Sequence, residues 1–82
     1  MTWTIEWSVV AARHDLLELP RRTAEALDAA VIRFAQTGRG PVKRISPHDP
    51  RRLQIVVPDA VANIFADPES GVLLVGRVFR RA

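Results

Sequence analysis

Eighty-two residues make one small domain, residues 1–82, and a chain this short buries only about two thirds of its unfolded surface. With 48% hydrophobic and 26% charged residues it is composed to fold, and having no cysteine it has no disulfides, thiolate nucleophile or thiolate metal site. Its net charge of +3 is unevenly placed: residues 1–41 carry five charges of each sign, residues 42–82 seven basic and four acidic, which points to a polyanionic partner.

Thr2-Trp3-Thr4-Ile5-Glu6-Trp7-Ser8 alternates polar and apolar, so it reads as a strand with Trp3, Ile5 and Trp7 facing the core. That spacing makes the two tryptophans core residues before it makes them a platform for stacking bases. Ser8 is a natural N-cap for a short helix ending near Glu18, with Val9, Ala12, Leu16 and Leu19 on its inner face. Pro20 breaks that helix and suits the start of a second, over residues 21–37. There Ala24, Leu27, Val31 and Phe34 recur at helical spacing and Gly38 provides the stop.

Beyond Pro41 the apolar period becomes two. Val42 to Ile45, Arg52 to Val57, Ala60 to Ala66 and Val72 to Phe79 read as strands. They are separated by the Pro-rich loop 46–50, the Pro58-Asp59 turn and the hairpin turn Asp67-Pro68-Glu69-Ser70-Gly71. The last strand is the most apolar, which predicts a central place buried on both faces. The expected fold class is α+β: β-α-α-β-β-β-β, with two antiparallel helices packed on one face of a mostly antiparallel sheet.

Chemistry is concentrated in the second half. Lys43, Arg44, Arg51, Arg52, Arg77, Arg80 and Arg81 form a basic set whose forked guanidinium groups suit phosphates. A central last strand would bring its basic end toward the loop carrying Arg51 and Arg52. His48, beside Asp49 in that loop, is the imidazole placed to move a proton near phosphate, whereas His14 on the first helix has no evident site. Asn63, set among apolar strand residues, is expected to bond a neighbouring side chain or face a partner. Two distant histidines and scattered carboxylates give no metal-ligand spacing, and no glycine-rich phosphate loop is present, so neither metal nor cofactor is expected. No apolar run approaches the roughly 20 residues of a membrane span, so a soluble cytoplasmic protein without membrane contact is expected.

Three stretches resemble the RelE/ParE superfamily of bacterial toxins from type II toxin–antitoxin systems. They are the opening Trp3-Thr4-Ile5-Glu6-Trp7-Ser8; Val42-Lys43-Arg44-Ile45 followed by Asp49-Pro50-Arg51-Arg52-Leu53-Gln54-Ile55; and the close from Asp67 through Gly71 and Arg77 to Arg81. The resemblance spans nearly the whole chain. It implies a cognate antitoxin as partner and, in the RelE-like branch, metal-independent cleavage of ribosome-bound mRNA that inhibits translation. In that branch the 2′-hydroxyl attacks the adjacent phosphate, cations stabilise the developing charge, and a Tyr or His handles a proton. Arg52 and Arg81 match basic catalytic positions of the family, and Lys43, Arg44, Arg51, Arg77 and Arg80 would help hold RNA. Gln54 and Ala62 stand where the family carries cations, and there is no tyrosine, leaving His48 as proton carrier. The alternative is a non-enzymatic binding protein of the same fold, acting on DNA gyrase or binding its antitoxin alone. Whether the free protein forms a homodimer stays open.

Overall fold

The computed structural model describes residues 2–81. Five strands, β1 (Thr4–Trp7), β2 (Val42–Arg44), β3 (Arg52–Val57), β4 (Ala60–Asp67) and β5 (Val72–Arg80), form one sheet in the order β1-β5-β4-β3-β2. β2 to β5 run as an antiparallel meander, and β5 pairs with β1 in parallel. A helix, α1 (Arg21–Thr37), and a helical segment over residues 9–18 lie on one face of this sheet. The architecture is the expected α+β arrangement.

Strand alternation sorts the side chains. Ile55 and Val57, Ala60, Ala62, Ile64 and Ala66, and Leu73, Val75 and Val78 turn to the helix side and are buried. They meet Leu27, Val31, Phe34 and Ala35 of α1, while Trp3, Ile5 and Trp7 pack partly buried against the same core. Leu27 is fully buried, a contribution of about 1.5–3 kcal/mol for a side chain of its size. α1 ends where expected: Gly38 takes φ +71° and its N–H bonds the Phe34 carbonyl at 2.8 Å.

Two expectations are corrected. β5 is interior, but it is not buried on both faces: Val72 and Leu74 are half-buried and Phe79 is 45% exposed, because no second layer covers the far side of the sheet. The first helical segment also turns differently. Ser8 Oγ does cap it, accepting the Ala11 N–H at 3.1 Å. Its turn then widens, with the Leu16 N–H bonding the Ala11 carbonyl five residues back, and tightens into a 3-10 turn over Leu16–Glu18. That widening brings Ala11 and Asp15 to the protein side, buried with Leu19, and leaves Val9 71% exposed.

The segment covers a sheet edge. β1 stops at Trp7, so β5 beyond Val75 has no strand on that side. Ser8 Oγ donates to the Gly76 carbonyl at 2.6 Å, and Asp15 Oδ2 accepts the Val78 N–H at 2.8 Å. Two backbone groups that a longer β1 would have paired are thus satisfied by side chains.

Candidate nucleic-acid interface on the open sheet face

The uncovered face is laid out in rows set by strand register. One row runs Lys43, Gln54, Asn63, Arg77 across β2, β3, β4 and β5. Gln54 and Asn63 are joined within it, Nε2 donating to Oδ1 at 3.0 Å, which fulfils the expectation of a bonded neighbour for Asn63. On one side lies the row Arg52, Phe65, Leu74, Glu6; on the other, Val56, Val61, Phe79. A polar stripe of amides and cations is therefore flanked by two aromatic rings. Gly76 is the extra residue where the β4–β5 register shifts between Asn63 and Ile64. With no side chain there, the face holds a hollow of about 250 Å³ lined by Ile45, Arg52, Asn63, Ile64, Phe65 and Gly76. A larger groove of about 430 Å³ lies between the helical elements, but Glu25 and Asp28 line it with no cation, so it is unsuited to phosphate.

The basic set does not act as one cluster. Arg51 and Arg52 share Asp49, with Nε distances of 3.3 and 3.5 Å to its two oxygens, and the Arg51 guanidinium lies 5.4 Å from the Phe65 ring centre. The Arg51 backbone N–H first, then both guanidinium groups, hold the Asp49 carboxyl below its ordinary range. Arg77 grips Asp15 through Nε at 2.9 Å and Nη2 at 3.3 Å and lies 5.4 Å from the Phe79 ring centre. Arg44 and Arg80 align with Leu53 and Ala60, residues of the helix side, so they belong to the opposite face from Lys43, Arg52 and Arg77. Among the described residues, Lys43, Arg44, Arg80 and Arg81 have no carboxylate within 4.0 Å.

Register separates the two residues that the resemblance pairs. Arg52 lies opposite Phe65, whereas the Arg81 N–H bonds the Asp59 carbonyl and its Nη1 reaches the Val57 carbonyl at 3.5 Å. Phe65 and Asp59 are six positions apart on the β4 side, about 20 Å of extended chain. The basic end of β5 therefore does not meet the loop of Arg51 and Arg52, and one phosphate cannot touch both Arg52 and Arg81. His48 is exposed; its backbone N–H bonds Ser46 Oγ, and no partner holds its ring among the described residues.

The feature that the sequence did not reveal is Asp15. It is buried, and Arg77 above all, then the Val78 N–H, outweigh its desolvation and hold its carboxyl far below the usual range. His14 Nδ1 completes the group at 3.1 Å from Asp15 Oδ1. No group of three or more His, Cys, Asp or Glu side chains capable of holding a metal occurs among the described residues, and no helix among them is long and apolar enough to cross a membrane.

No protein-family model matches the sequence, and neither does any curated protein. Solved structures do match. The chain is similar to one in the toxin–antitoxin complex RelBE2 from Mycobacterium tuberculosis, with a TM-score of 0.79 at 20% identity, covering 99% of this chain and 100% of that one. It is also similar to one in the RelB–RelE antitoxin–toxin complex from Methanococcus jannaschii, with a TM-score of 0.72 at 14% identity over 92% of this chain and 88% of that one. Together with the strand order and the two helical elements, these likenesses show that the chain has the RelE-like toxin fold.

Proposed function

We propose that this protein is the toxin component of a type II toxin–antitoxin system, acting in the cytoplasm on ribosome-bound mRNA, which it cleaves or blocks. The observation that carries this reading is the open sheet face, where the row Lys43, Gln54, Asn63, Arg77 runs between Phe65 and Phe79. Single-stranded RNA binds on such surfaces by stacking its bases on aromatic rings and its phosphates on cations, while amides bond base edges. The likeness to two structures of toxin–antitoxin complexes supports a cognate antitoxin as the neutralising partner. Toeprinting of a translation reaction supplied with purified protein tests the reading. Stops or cuts on ribosome-bound mRNA are expected, together with growth arrest on expression that the product of an adjacent short gene relieves. Translation that proceeds unaltered at high protein concentration would reject it.

The separation of Arg52 from Arg81 favours a second reading, in which the same fold binds without cutting. Its target is then DNA gyrase or the antitoxin alone. A supercoiling assay addresses the gyrase version, which requires inhibition of gyrase by the purified protein.

A further inference from the structure

His14 is the imidazole with a structural environment. An ionised carboxylate only accepts hydrogen bonds, and Asp15 is held ionised, so the 3.1 Å contact requires the proton on His14 Nδ1. In the neutral ring Nε2 is then bare and basic. The ring is 66% exposed, whereas the Asp15 side chain is only 3% exposed, so the anchor is fixed and the base is accessible. Asp15 Oδ1 accepts from both His14 Nδ1 and Arg77 Nη2, which sets the imidazole and the guanidinium on either side of one oxygen atom. Arg77 is half exposed, closes the polar row of the open face and lies beside Phe79. A base next to a forked cation at the end of an RNA-compatible surface is the arrangement that phosphodiester chemistry requires.

We propose that His14, oriented by Asp15, is the proton-transfer residue for cleavage of a ribose-phosphate backbone held on the open face, and that Arg77 holds the phosphate. This rests on the mRNA reading above. The 2′-hydroxyl oxygen attacks the adjacent phosphorus while its proton passes to His14 Nε2. The bond from phosphorus to the 5′-oxygen breaks, and that oxygen leaves with the electron pair and takes a proton from water. The products are a 2′,3′-cyclic phosphate and a 5′-hydroxyl, and the imidazolium returns its proton to the hydroxide left behind. Asp15 is a positioning residue that fixes the tautomer.

The test compares the parent protein with His14→Asn, whose amide still donates to Asp15 but cannot act as a base. Cuts are counted by toeprinting, melting temperatures are matched, and the parent's imidazole nitrogens are followed by NMR as uridine 3′-monophosphate is added. The expected result is cleavage reduced about 10²–10⁴-fold in His14→Asn at an unchanged melting temperature, with the nucleotide shifting the His14 ring signals. Cleavage by His14→Asn within a few-fold of the parent overturns the role of His14 and leaves the mRNA reading standing. Absence of cuts by the parent overturns the catalytic role of His14, and absence of both cuts and stops overturns the mRNA reading with it; His14 signals unmoved by the nucleotide overturn the phosphate site itself.

Discussion

Asp15 receives four hydrogen bonds, from His14 Nδ1, Arg77 Nε and Nη2, and the Val78 N–H, and so ties the first helical segment to β5. Replacing it with alanine strands the Val78 N–H and the Arg77 charge. Asp15→Ala is expected to cost about 2–3 kcal/mol, measurable by urea unfolding followed by circular dichroism. The pH dependence has a definite sign. Asp15 has a folded-state pKa below its unfolded value of about 3.9, so its stabilisation is complete above that value and is lost as pH falls toward the folded one. Asp49 and Asp67, bonded in exposed turns, shift in the same direction. Melting temperatures should be level above about pH 5 and fall below about pH 4, with a shallower fall in Asp15→Asn. None of this was legible in the sequence, where an Asp on a short helix reads as a solvated charge. Its partners on β5, Arg77 and Val78, lie 62 and 63 positions away, beyond any local pattern.

Among the elements, those defined by local rules were legible. The strand periods, the Ser8 cap, the Gly38 stop and the Asp67–Gly71 turn each depend on a few neighbouring residues, and each is where the pattern puts it. The inner face of residues 9–18 was not, because a widened turn departs from the 3.6-residue period on which that expectation rests. The β3–β4 turn carries a cost of its own: Asp59 adopts φ +72°, which an L-residue takes with strain and glycine takes freely. Asp59→Gly is expected to stabilise the protein by about 0.5–1 kcal/mol, seen as a higher melting temperature. Its backbone carbonyl still receives the Arg81 N–H. A lower melting temperature would show that the Asp59 side chain makes up for that strain.

For the molecule as a whole, the order of elements was enough to give the fold class, whereas the site required the register. Residues clustered in sequence, such as Lys43 with Arg44, alternate between faces, and Arg77 is bonded through Nε and Nη2 to a carboxylate on another element while its side chain stays half exposed. The row that joins Lys43 to Arg77 exists only once four strands are aligned. A domain this small has about 3–5 kcal/mol of stability from its core. Leu27→Ala, at a fully buried position, removes about 2–5 kcal/mol. That variant is expected to be largely unfolded at 37 °C by circular dichroism, while an exposed change such as Leu17→Ala, at 78% exposure, leaves the melt nearly unaltered.

The place of β5 between β1 and β4 bears on the order in which the chain is made. β1 leaves the ribosome first, yet Thr4 pairs with Val72, so it waits for almost the entire chain before its neighbour is synthesised. Meanwhile α1, β2, β3 and β4 can assemble from closer segments. Trp3 and Trp7 report the moment directly. Their fluorescence should remain that of water-exposed indole in chains ending at Gly71 and shift to the blue only in chains that include Arg80. A nascent chain of this topology would remain incomplete, and its open face unfinished, until β5 is inserted.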